Sequence, residues 1–192
     1  MVIGITGGVG CGKSTVMSIM QEKYNFILLE ADKIAHKLME PGQQVYNEIV
    51  NVFGKDILDV DSSIDRKKLG EIVFSNEEKL KKLDDIVHPG VREYIENRIN
   101  KSISEENFLI ESAILVEAGY KNICDEIWYI YASDEVRRDR LKKSRGYTDE
   151  KIDSIINNQS SEEEFIKNAD KIIKNDKNIE NTTLQIEKIV EF

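Results

Sequence analysis

The chain is poor in the residues that build metal or disulfide frameworks. Its 192 residues include two cysteines, two histidines and a single tryptophan. Cys11 and Cys124 stand far apart with no CxxC spacing, which argues against a zinc site and a disulfide framework and leaves two reduced thiols. Positive charge is also in deficit: 27 basic against 36 acidic residues give a formal charge of −9. Non-specific nucleic-acid binding needs a basic footprint and is excluded on that ground, whereas an anionic small substrate in a locally positive pocket is not. No apolar run approaches the roughly 18 residues of a membrane span, and the N-terminus lacks a basic segment followed by an apolar one. The expectation is a cytoplasmic protein with no membrane contact. Internal repeats and low-complexity linkers are absent too. The length suits one compact domain carrying a small insertion.

Apolar runs at Val2–Thr6, Phe26–Leu29, Phe108–Ile110, Ile127–Ala132 and Lys171–Ile173 predict buried parallel strands. Helical periodicity covers Lys13–Tyr24, Asn76–Val87 and Thr182–Val190. Alternating strands and helices predict an α/β fold with a five-stranded parallel sheet flanked by helices. Residues 1–32, 108–132 and 169–192 form its expected core. Residues 33–107 are far longer than a crossover needs and read as a helical insertion. Residues 133–168 are highly charged and read as a solvated helical hairpin, the character of a mobile lid or of a plain surface helix pair.

The stretch Gly7-Gly8-Val9-Gly10-Cys11-Gly12-Lys13-Ser14, followed by Thr15, fits G-x-x-x-x-G-K-[ST] between a strand and a helix. Glycines let successive N–H groups point into one concavity, and the helix adds its positive end. Lys13 can reach the β- and γ-phosphates, and Ser14 can offer a hydroxyl to Mg²⁺. The chain is therefore expected to bind a nucleoside triphosphate. Hydrolysis by a switch and transfer by a kinase both remain open, although no guanine-reading N-K-x-D tetrapeptide occurs. A kinase needs an acid beside the acceptor hydroxyl and cations around the transferred group. Asp32, just past the second strand, can be that acid or a helix N-cap. Glu111, ending the third strand, can hold Mg²⁺ or be a surface acid. Arg137, Arg138, Arg140, Lys142, Lys143 and Arg145 crowd the start of the lid-like segment, where one arginine can close on the phosphates.

Longer stretches are more specific. "GITGGVGCGKSTV", "ADKIAHKLMEPGQQVYNEIVNVFGKDIL", "IDRKKLGEIVFSNEEKLKKLDDIVHPGV", "ESAILVEAGY" and "ADKIIKND" together resemble the dephospho-CoA kinase family over nearly the whole chain. Asp32, Pro41-Gly42, Phe53-Gly54, Arg66 with Leu69, and His88-Pro89 carry the likeness; the phosphate loop alone is generic. The resemblance implies a P-loop kinase fold and transfer of the ATP γ-phosphate to the ribose 3′-hydroxyl of dephospho-CoA. It implies Asp32 as general base and Arg140 as lid arginine. Lys13 and loop residues Gly7 to Thr15 would hold ATP, and Ser14 with Glu111 would hold Mg²⁺. Arg66, His88, Leu115 and Glu117 would contact dephospho-CoA, with 33–107 as the pocket and 133–168 as the lid. The oligomeric state is left open, a monomer being compatible with the sequence. Other small-molecule P-loop kinases, such as nucleoside monophosphate kinases, are the alternative. Four positions depart from the family pattern: Ala113-Ile114-Leu115 in place of Pro-Leu-Leu, Glu111 where Asp is commoner, Ser144-Arg145-Gly146 in place of Arg-Asp-Gly, and Cys11 where Ser is commoner. Lying among loop amides near Lys13, Cys11 is expected to favour thiolate and to be reactive.

Overall fold

A computed structural model describes residues 1–102, 106–112, 114–116 and 118–190. Strand β1, Val2–Thr6, is buried at every position, as an all-apolar run flanked on both faces should be. It leads through the glycine loop into α1, Lys13–Tyr24, and then β2, Ile27–Glu30. Four helices follow: α2 (Ala31–Leu38), α3 (Gln44–Phe53), α4 (Arg66–Phe74) and α5 (Glu77–Asn100). The chain then runs through β3 (Phe108–Glu111) and β4 (Glu126–Tyr131). Helices α6 (Asp134–Arg145), α7 (Asp149–Asn157) and α8 (Glu162–Asn168) precede β5 (Lys171–Lys174) and α9 (Ile179–Val190). Segment 133–168, expected as a hairpin, thus contains three helices.

The chain divides into two compact units, Met1–Leu29 with Ile103–Phe192, and Glu30–Ser102. In the first, the strands lie in the order β2-β3-β1-β4-β5. The β1–β3, β1–β4 and β4–β5 pairings are parallel. Register sets Ile5 beside Glu111 and Thr6 beside Tyr129, so the ends of three strands gather where the loop begins. One face of the sheet is sealed by α1 and α9: Val16, Ile19, Met20, Ile186 and Val190 close over Ile3, Ile5, Trp128, Ile130 and Ile173. On the opposite face Tyr129 stacks on Phe165 of α8, ring centroids 5.0 Å apart.

In the second unit α2, α3 and α4 each pack on α5. Val45, Tyr46, Ile49, Ile57, Ile64, Leu69 and Val73 form its core. Helix α5 corrects the expected end near Val87: it continues through Pro89 to Asn100. Proline forfeits one i→i−4 hydrogen bond. Packing outweighs that loss, because Val91 and Ile95 beyond it are buried and Gly90 abuts Val45, where a Cβ would stand 2.5 Å from the valine methyl. Among the described residues no helix is long and apolar enough to cross a membrane.

Candidate active site

The loop between β1 and α1 turns through left-handed backbone at Gly10 (φ 79°) and Gly12 (φ 88°), conformations glycine adopts without a Cβ clash. Gly12 is the N-cap of α1, so the amides of Lys13 and Ser14 belong to the helix's first turn, where N–H groups lack intrahelical partners and the dipole favours an anion. Lys13 folds its ammonium group back over the loop. Nζ donates to the Gly7 carbonyl at 2.9 Å and lies 3.6 Å from Glu111 Oε1. The structure therefore brings Lys13 and Glu111 together at the loop. The Ser14 side chain, second in α1, is exposed. Among the described residues no cluster of three or more His, Cys, Asp or Glu could cage a metal. An exposed hydroxyl on Ser14 and the single carboxylate of Glu111 fit Mg²⁺, an ion that keeps several waters and takes the rest of its shell from substrate phosphates.

Beneath the loop lies a buried network that sequence reasoning missed. Asn175, just past β5 and 4% exposed, donates Nδ2–H to the Cys11 carbonyl at 2.8 Å. Its Oδ1 accepts from the hydroxyl of Thr182 at 2.8 Å, and its carbonyl accepts from Arg140 Nη2 at 2.6 Å. Arg140 Nη1 reaches the carbonyls of Cys11 at 3.2 Å and Gly10 at 3.4 Å. Arg140 thus ties two loop carbonyls, those of Gly10 and Cys11, to the carbonyl of Asn175. The only sequence signal for Asn175 was its place at the end of "ADKIIKND".

Above the loop stands Arg137, one of six basic candidates in the sequence. Its Nε donates to the Val9 carbonyl at 2.9 Å, and its Nη2 donates to Gln159 Oε1 at 3.0 Å. The N–H of Val9 donates to the same Gln159 oxygen at 3.1 Å.

Two expectations are corrected. Cys11 is 1% exposed, and burial pushes its thiol pKa up despite the lowering influence of Lys13, Arg137 and Arg140. Desolvation of a thiolate outweighs three cations whose fields are partly spent on neighbouring carbonyls, so the thiol is not activated. Leu115, expected at the substrate, is 1% exposed and fills the space that Gly4 leaves over β1, where a Cβ would lie 2.9 Å from its Cδ1. Its side chain belongs to the core. Ala113 and Glu117 lie outside the described residues.

In the second unit Asp32 is the exposed second residue of α2. The N-cap is Glu30, and no side chain caps the helix, so the capping alternative for Asp32 is removed. Helix α2 is fixed to α5 by Lys37, whose ammonium lies over the Tyr94 ring, 5.4 Å from its centroid. Arg66 is the exposed first residue of α4, whose N-cap Asp65 accepts from the amides of Lys67 and Lys68. His88, half-exposed on α5, lies 3.6 Å from Asp84 one turn earlier. This unit also holds a cleft of about 290 Å³ between α3 and α5, lined by Gln44, Glu48, Asp85 and Tyr94 among others.

Comparison with known proteins gives a consistent result. A family model described as dephospho-CoA kinase matches residues 1–181. The chain is 44% identical to a dephospho-CoA kinase of Aquifex aeolicus, covering 98% of this chain and 95% of that one. It superposes on the solved dephospho-CoA kinase of Campylobacter jejuni with a TM-score of 0.72 at 31% identity, covering 99% and 95% of the two chains. A solved structure from Thermus thermophilus gives a TM-score of 0.82 at 27% identity, covering 100% and 96%. The fold is that of the P-loop kinases.

Proposed function

The chain belongs to the dephospho-CoA kinase family, and we propose that it transfers the terminal phosphoryl group of ATP to the ribose 3′-hydroxyl of dephospho-CoA, giving coenzyme A and ADP. The observation that carries the phosphoryl-donor half of this reading is the glycine loop capped on α1, with Lys13 and Glu111 meeting beside it; the family match over residues 1–181 supports the acceptor. The loop amides and Lys13 hold the β- and γ-phosphates. Ser14 and Glu111 would hold Mg²⁺, which would supply neutralisation of charge on the phosphates. Lys13 already spans the carbonyl of Gly7 and the carboxylate of Glu111, so phosphate replaces one weak acceptor with a stronger one.

Asp32 is the general base. It follows β2 closely in the chain, and its exposed carboxylate is not consumed as a helix cap. It accepts the proton of the 3′-hydroxyl as that oxygen attacks the γ-phosphorus; the P–O bond to ADP breaks, and ADP departs with its electrons. Arg66 and His88, carried by the helices of the Glu30–Ser102 unit, bind dephospho-CoA through its anionic groups. Both substrates are water-soluble phosphate esters, and the reaction belongs in the cytoplasm. The test is acceptor dependence. ADP release followed in a coupled assay should rise at least tenfold when dephospho-CoA is added; equal release without it overturns the kinase assignment.

A further inference from the structure

An amide of the glycine loop and an arginine of α6 converge on one oxygen. The N–H of Val9 and Nη2 of Arg137 both donate to Gln159 Oε1, at 3.1 and 3.0 Å. The rest of the guanidinium is anchored: Nε on the Val9 carbonyl at 2.9 Å and Nη1 on Asp134 Oδ1 at 3.2 Å. Only Nη2 is thus committed to a side-chain amide. A neutral amide oxygen is a poor match for a cationic donor, since charge-assisted bonds to an anionic oxygen are roughly twice as strong.

The place of this oxygen matters. Nη2 stands 2.5 Å from where a Cβ on Gly8 would lie, so the missing side chain of Gly8 admits the guanidinium to the loop. The Lys13 ammonium rests on the carbonyl of the adjoining Gly7. Lysine at this position reaches the β- and γ-phosphates, so the Gly7–Val9 lip faces the terminal end of the triphosphate. Arg137 and Gln159 also line a cavity of about 510 Å³, with Tyr129, Asp134 and Phe165. Arg140 cannot take this place while its two terminal nitrogens hold three backbone carbonyls.

We propose that Arg137 Nη2 and the Val9 N–H together hold one oxygen of the γ-phosphoryl group, and that the Gln159 carboxamide oxygen occupies that position until ATP displaces it. This rests on the reading of the loop as an ATP site, not on the identity of the acceptor. Gln159 then couples the end of α7 to the state of the loop.

The experiment compares binding of a non-hydrolysable ATP analogue and of ADP, by calorimetry, in the wild type, Arg137→Gln, Arg137→Lys and Gln159→Ala. Arg137→Gln should weaken the ATP analogue about 10- to 100-fold, the usual scale for one charged hydrogen bond, while ADP affinity moves less than about threefold. Arg137→Lys should recover part of that loss, and Gln159→Ala should bind the analogue more tightly by removing the competitor. Thermal midpoints verify that each variant is folded. Equal weakening of both nucleotides makes Arg137 a structural staple and overturns the proposal, as does unchanged affinity for both. Looser analogue binding in Gln159→Ala overturns the displacement step. If the wild type binds both nucleotides but does not phosphorylate dephospho-CoA, the acceptor reading fails while this inference stands; binding of neither overturns both.

Discussion

Asn175 donates its carboxamide N–H to the carbonyl of Cys11 across 164 residues of sequence, fixing the floor of the glycine loop from the far end of the chain. The same side chain accepts from Thr182, and both residues are buried. Asn175→Ala should leave the Thr182 hydroxyl without that acceptor and the Cys11 carbonyl with Arg140 alone, costing about 1–3 kcal/mol. For a chain of this size that lowers the thermal midpoint by roughly 2–9 °C. The loop also loses definition, so affinity for ATP should fall with it. Differential scanning calorimetry and nucleotide titration check both; an unchanged midpoint with unchanged affinity would remove Asn175 from the account.

Asp32→Asn should lower kcat by about 10²–10⁴, the usual range for loss of a general base. Because Asp32 caps no backbone amide, the midpoint and the affinity for ATP should stay close to wild type. A small drop in rate together with a large drop in stability would reverse that assignment.

Cys11 should resist alkylation. Burial keeps its pKa above the ordinary value, and the side chain is 1% exposed. Iodoacetamide at neutral pH should therefore label the native enzyme at Cys11 slowly, at the same rate with and without ATP, and activity should survive. Rapid inactivation from which ATP protects would show an accessible thiolate.

Cys124 carries a pH dependence of stability. Burial, then the carboxylates of Asp125 and Asp170, raise its pKa from 9.0 to about 12. The folded value lies above the unfolded one, so the neutral thiol's contribution is complete below about pH 9 and is lost as pH climbs toward about 12. The thermal midpoint should decline over that interval, and more gently in Cys124→Ser, which does not titrate there. Identical slopes in the two proteins would contradict the shift.

Much of this architecture was legible in the sequence because it depends on local pattern. The apolar run Val2–Thr6 and the periodicity of Lys13–Tyr24 are strand and helix at those boundaries, and the glycine loop joins them. The other strands sit within a residue or two of the expected positions. Pro89 misled because a local rule about proline yields to tertiary packing around Gly90, Val91 and Ile95. The clamps on the loop were illegible for a related reason. Arg137, Gln159 and Asn175 lie 128, 150 and 164 residues from the backbone atoms they hold. No spacing in one sequence reports which of several neighbouring cations reaches a given carbonyl, and Arg137 and Arg140 are three residues apart with different tasks. Cys11 was misread because proximity to cations is visible in sequence, whereas the desolvation that outweighs it is not.

The most direct measurement is the product itself. With purified enzyme, ATP and Mg²⁺, the yield of coenzyme A from dephospho-CoA, identified by mass spectrometry and by the position of the new phosphate, should equal the ADP released, one for one. Shikimate and nucleoside monophosphates in its place should give only background ADP. Coenzyme A absent from the products, ADP in large excess over it, or an equal rate with another acceptor would contradict the account.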